Sequence, residues 1–76
     1  MLVYIVDDED YMRDMFDINF KQYPDINYKI FSKASDLITQ TYQIQPDIII
    51  SDIVMSEMSG LQLCRKIKSD NNLKNI

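Results

Sequence analysis

PDIIISDIVMSEMSG, residues 46–60, contains an apolar run that is followed, after Ser51, by a carboxylate. Ile48, Ile49 and Ile50 have no alternating polar partners, which is typical of a parallel strand that helices cover on both faces. Asp52 then stands at the carboxyl end of the predicted strand. Ligands bind at the carboxyl ends of strands in open parallel sheets, whereas Asp is also a common residue in ordinary loops. Asp52 alone therefore does not distinguish a ligand site from a loop, and a second signal is needed.

The rest of the chain predicts two more strands, separated by helices. Leu2 to Val6 is a continuous apolar run, and Asn27 to Phe31 is a shorter strand candidate. Strands that alternate with helices form parallel sheets joined by right-handed crossovers. The sequence therefore predicts three βα units.

Three helices are predicted from apolar spacing and from capping residues. The first runs from Asp10 to Tyr23, before Pro24. Ser32 or Ser35 is predicted to cap the second helix. The apolar residues at helical spacing in these two helices are Met12, Met15, Phe16, Phe20, Leu37, Ile38 and Tyr42.

The third helix has the clearest start signal. Ser59 and Gln62 have the spacing of a capping box, in which each side chain bonds the main chain of the other residue. Leu63, Cys64 and Ile67 follow on a predicted apolar face, so Cys64 is expected in the core.

Length and composition restrict the class of protein. The chain has 76 residues, 46% of them hydrophobic and 26% charged, which predicts one small globular domain. A net charge of -4 argues against direct nucleic-acid binding. The single Cys64 excludes an internal disulfide, and no apolar run is long enough to cross a membrane. MLVYIVDDED, at the amino end, lacks the basic start of a secretory signal, so we expect a cytoplasmic protein.

The second signal is a pair of carboxylates after the first strand. Asp7 and Asp8 follow Val6 just as Asp52 follows the third strand, so adjacent parallel strands would bring all three carboxylates to one edge. Mg²⁺ prefers such oxygen ligands and would offset their mutual repulsion. Glu9 and Asp10 are interpreted as helix-start charges that the helix dipole favours.

These residues together resemble the receiver domain of two-component response regulators. The resemblance implies a flavodoxin-like, doubly wound α/β fold with a partial strand order 2-1-3 and helices on both faces. It implies that Asp52 accepts a phosphoryl group from a sensor histidine kinase or a phosphotransfer protein, as a signalling switch and not as an enzyme. It also implies that Mg²⁺ is held by Asp7, Asp8, Asp52 and the main-chain carbonyl of Val54. Ser56 departs from the family pattern, in which proline is usual, and predicts a less rigid loop.

The resemblance covers the whole sequence but only about the first three of five βα units. Residues 1–76 are therefore expected to be the N-terminal part of a single receiver domain, with little stable phosphorylation on their own. The third strand, Ile48 to Ser51, would have an unpaired edge, which favours a homodimer.

Three alternative functions share single features of this sequence. A phosphatase of the haloacid dehalogenase type needs a second Asp where Val54 stands, and a calcium loop needs a central Gly, whereas the only Gly is Gly60. The third alternative, a receiver fragment that acts only as a protein-association module, is not excluded by the sequence.

Overall fold

The computed structural model describes residues 1–76 and has three strands alternating with three helices. The strands are β1 (Leu2–Val6), β2 (Asn27–Phe31) and β3 (Ile48–Ser51). The helices are α1 (Asp10–Phe20), α2 (Ala34–Gln43) and α3 (Gly60–Ser69). The predicted order of elements is confirmed. No helix combines the length and the apolar character that a membrane crossing requires.

The three strands form one parallel sheet in the order β2-β1-β3. Central strand β1 pairs Val3 with Tyr28 on one side and with Ile48 on the other. Val3 to Val6 are buried. The predicted doubly wound order 2-1-3 is therefore confirmed.

Helices cover both faces of this sheet. Tyr4 and Val6 point to the face that packs against α2 and α3, in one buried cluster with Leu37 and Leu63. Strand residues alternate between faces, so Val3 and its neighbour Tyr28 point to the opposite face. Helix α1 lies there, because Phe20 and Tyr28 have ring centroids 5.5 Å apart and the Tyr28 hydroxyl donates to Asp17 Oδ1 at 2.7 Å.

Strand β3 differs from the prediction of a strand covered on both faces. It lies at the edge of the sheet, where Ile48 is 43% exposed and Ile49 and Ile50 are only partly buried. In residues 1–76, Ile49 packs one face of β3 against the core, and the β-branched residues favour a strand. The predicted open edge of β3 is present.

Helix α1 ends earlier and is more exposed than its apolar spacing predicts. It stops at Phe20 instead of Tyr23, because Gln22 and Tyr23 donate to carbonyls three residues back and Pro24 disfavours further helix. No residue of α1 is fully buried, and Met15, one of the apolar residues at helical spacing, is 51% exposed. The helix covers mainly β2, so only part of its apolar stripe finds a partner.

At the N-terminal ends of α2 and α3, one prediction is wrong and another is confirmed. The N-cap of α2 is Lys33, without a side-chain capping bond, so neither Ser32 nor Ser35 is the cap. Helix α3 has the predicted capping box: Ser59 Oγ accepts the N–H of Gln62 at 3.1 Å, and Gln62 Oε1 accepts the N–H of Ser59 at 2.9 Å.

Cys64 is exposed, contrary to the prediction of a core position. Leu63 and Ile67, on either side of it, are buried. One residue along a helix rotates the side chain by about 100°, which moves Cys64 away from the buried stripe.

Candidate functional site

Three carboxylates meet at the carboxyl edge of β1 and β3. One oxygen each from Asp7, Asp8 and Asp52 lies within 4.8 Å of the others. The backbone fixes this arrangement, because the Asp7 N–H donates to the Phe31 carbonyl at 3.1 Å and the Asp52 N–H to the Val6 carbonyl at 3.3 Å. Asp7 is only 3% exposed, whereas Asp8 and Asp52 reach solvent. The structure thus brings together the three carboxylates that the sequence placed at this edge.

Each of these carboxylates is oriented by one main-chain N–H. Asp7 Oδ1 bonds Glu9 at 3.0 Å, Asp8 Oδ2 bonds Ser56 at 2.9 Å, and Asp52 Oδ1 bonds Ile53 at 2.8 Å. The second oxygen of each group accepts no hydrogen bond from the chain. Each carboxylate therefore keeps one oxygen that no hydrogen bond from the chain occupies.

The chemistry of these donors fits Mg²⁺. Hard carboxylate oxygens are the ligands that this ion prefers, and it keeps several waters in addition to one or two protein carboxylates. Val54 lies in the loop two residues after Asp52, and its carbonyl oxygen accepts no hydrogen bond in the chain. All four predicted ligands therefore have an oxygen without a hydrogen-bond partner.

Gly60 allows the loop after β3 to fold tightly against Asp52. A Cβ atom at Gly60 would lie 2.2 Å from the Asp52 carbonyl oxygen and 3.1 Å from Ser51 Oγ. The Gly60 N–H donates to the Ile53 carbonyl at 2.8 Å, which closes the loop just before α3. Only glycine fits this approach without a shift of the backbone.

Glu57 joins the same loop to the start of α2, a contact that the sequence did not indicate. Its carboxylate accepts both the N–H and the hydroxyl of Ser35, each at 2.9 Å. The Ser35 N–H and then its hydroxyl lower the pKa of Glu57; desolvation opposes them, and the charge of Lys33 lowers the pKa least. Such a contact between residues 22 apart leaves no local sequence pattern.

Helix α1 contributes an arginine and a tyrosine next to the acidic edge. Arg13 Nη1 donates to the Asp7 carbonyl at 2.9 Å, and the guanidinium pairs with Asp10 in the first turn. The pKa of Tyr11 is raised, first by the charge of Glu9, and also by desolvation, a Glu9 hydrogen bond and the charges of Asp7 and Asp52. The electrostatic field of the acidic edge therefore extends to Tyr11.

The family model of the response regulator receiver domain matches residues 3–76 of this chain. The N-terminal domain of a response regulator receiver protein from Methanoculleus marisnigri is similar with a TM-score of 0.89 and 21% identity, over 99% of this chain and 60% of that chain. Chemotaxis protein CheY4 of Vibrio cholerae gives a TM-score of 0.86 and 20% identity, over 96% and 60% of the two chains. A response regulator receiver protein from Pseudomonas putida gives 0.77 and 28% identity, over 93% and 59%.

The first two structures are related to this chain at low identity and show the common fold. The chain spans about 60% of the length of each of them. The family match covers nearly the whole chain and includes Asp7, Asp8 and Asp52.

Proposed function

This chain belongs to the response regulator receiver domain family, and we propose that it forms the N-terminal part of a receiver that accepts a phosphoryl group on Asp52. Family membership implies a role in two-component signalling. The observation that supports Asp52 is its convergence with Asp7 and Asp8 at the carboxyl edge of paired parallel strands. Receiver domains are signalling domains, so the proposed role is a switch in the cytoplasm.

The phosphoryl donor is proposed to be the phosphohistidine of a sensor histidine kinase or of a phosphotransfer protein. A carboxylate oxygen of Asp52 attacks phosphorus, the P–N bond breaks, and the imidazole of the donor leaves. The Ile53 N–H bonds Asp52 Oδ1 at 2.8 Å and so orients the carboxylate. The product is an acyl phosphate on Asp52.

The proposed Mg²⁺ ligands are Asp7, Asp8, Asp52 and the carbonyl of Val54. When bound, Mg²⁺ supplies charge neutralisation on the oxygens of the transferred group. The carboxylates of the chain provide the negative donors at fixed positions, because each is already bonded to a main-chain N–H. Asp7 is buried, so its charge is the least screened of the three.

The phosphoryl group would act on the loop of residues 53–59. The acyl phosphate carries nearly two negative charges in place of the single charge of the Asp52 carboxylate, close to Asp8, whose carboxylate bonds the Ser56 N–H in the same loop. Glu57 connects this loop to the start of α2. The added charge would therefore act on a loop that is bonded directly to α2.

The test is phosphoryl incorporation in the whole protein that carries residues 1–76. The protein is incubated with a small acyl phosphate or its kinase, with Mg²⁺ or with a chelator, and its intact mass is measured. We expect one added phosphoryl group that requires Mg²⁺. Incorporation that is equally fast in the chelator would contradict the proposed role of the carboxylates as Mg²⁺ ligands in the transfer.

We further propose that the 76-residue chain associates with a second copy through β3. Its outer edge has no strand partner, and beside it lies a cavity of about 160 Å³ that is lined mainly by apolar residues. Ile49, Leu63 and Ile67 form part of its wall. Open strand edges and apolar surface both favour pairing with another chain.

A further inference from the structure

We propose that the main-chain N–H of Ser56 is a positioning group that holds Asp8 in place for Mg²⁺, an inference that rests on the proposed metal site. The Ser56 N–H donates to Asp8 Oδ2 at 2.9 Å, although the two residues are 48 positions apart. The N–H groups on Asp7 and Asp52 come from their own sequence neighbours. Asp8 alone is oriented by a separate segment of the chain.

The residues on either side of Ser56 hold its N–H in this direction. Met55 is partly buried against the main core cluster. Glu57 is fixed by two hydrogen bonds of 2.9 Å to Ser35. The Ser56 side chain is exposed, so the contact with Asp8 depends on the backbone and not on the hydroxyl.

This bond orients the carboxylate and leaves Asp8 Oδ1 free for the ion. A group that hydrogen-bonds to a metal ligand, without contacting the ion itself, fixes the orientation of that ligand. Loss of such a group typically lowers metal affinity about 10- to 100-fold. Proline has no N–H and could not make this contact. Ser56, which departs from the family pattern, therefore gives this chain an additional hydrogen bond that orients Asp8.

The experiment compares Mg²⁺ affinity in the 76-residue chain by titration calorimetry, with Ser56→Pro as the variant and Ser56→Ala as the matched control that retains the N–H. We expect Ser56→Ala to bind as the unmodified chain does and Ser56→Pro to bind about 10-fold more weakly. The carboxylate ¹³C resonance of Asp8 provides a local readout. It should move in Ser56→Pro without added metal, whereas that of Asp7 should not.

A second variant separates the missing N–H from any effect of the proline ring. An ester oxygen replaces the nitrogen of residue 56 in a chain assembled by ligation at Cys64, and circular dichroism checks the fold. We expect the same loss of affinity and the same shift at Asp8. If the ester variant binds Mg²⁺ as tightly as the unmodified chain, the inference about Ser56 is overturned and the proposed metal site is not. An unmodified chain that binds no Mg²⁺ would overturn it together with the proposed metal site.

Discussion

Glu57 and Ser35 are joined by two hydrogen bonds, both 2.9 Å long, that connect the loop after β3 to the first turn of α2. The N-cap of α2, Lys33, makes no side-chain capping bond. The Glu57 carboxylate therefore satisfies a helix-start N–H that would otherwise lack a partner. One residue thus supports both α2 and the loop that approaches the acidic edge.

Glu57→Gln should lower the melting temperature at neutral pH, and the difference should shrink in acid. The pKa of Glu57 is lowered in the folded chain, mainly by the Ser35 N–H. Its stabilising effect is therefore complete above the ordinary pKa of Glu and is lost as the pH falls through the lowered value. Thermal melts of both chains across this range measure the difference. Asp25→Asn, at an exposed loop position, is the control; a constant difference at all pH values would contradict the ionic origin of the effect.

Gly60→Ala should destabilise the chain by about 1–3 kcal/mol, the usual cost of overpacking a tight site. The added Cβ would lie 2.2 Å from the Asp52 carbonyl oxygen, so the loop or the start of α3 must shift. Urea unfolding measures the change in the free energy of unfolding. Arg65→Ala, at an exposed position of α3, should change it far less. A Gly60→Ala chain as stable as the unmodified one would show that the loop yields freely.

Mg²⁺ should raise the melting temperature, and Asp52→Asn should abolish the rise. Binding to the folded chain alone stabilises it by about 1.4 kcal/mol when Mg²⁺ is about ten times its dissociation constant. Without Mg²⁺, Asp52→Asn should itself raise the melting temperature, because it removes one of three clustered negative charges. Asp25→Asn should do neither. A melting temperature that millimolar Mg²⁺ does not move would support the association-module alternative.

Dilution should dissociate the proposed dimer and loosen the chain. Light scattering and circular dichroism on the same samples report mass and cooperative melting. Cys64, exposed beside the cavity next to β3, should react faster with a thiol reagent as the chain is diluted, because association covers this region. A compact monomer that melts cooperatively at micromolar concentration, with a constant rate of Cys64 labelling, would refute the proposed association.

Local sequence patterns predicted the elements of this fold well, and long-range contacts account for what they missed. The Ser59 and Gln62 capping box is readable because both partners lie within one helical turn. The meeting of Asp7 with Asp52 follows from strand order, which the alternation of elements restricts. The capping of α2 by Glu57 could not be read, since it depends on how two segments approach in space.

Exposure was predicted less well than secondary structure. Cys64 and Met15 have helical apolar spacing, but spacing cannot say how wide a stripe the neighbouring elements cover. The main-chain N–H of Ser56 was missed for another reason. Every residue except proline has such a group, so its contact with Asp8 leaves no mark on the sequence.

The most direct test of the proposed function is to identify the phosphorylated residue in the whole protein that carries residues 1–76. The protein is phosphorylated with Mg²⁺ and the donor, digested under acidic conditions that preserve an acyl phosphate, and mapped by mass spectrometry. The account predicts one base-labile adduct on Asp52, absent from Asp52→Asn and retained in Asp25→Asn. An adduct of unchanged yield in Asp52→Asn, mapped to another residue, would contradict it.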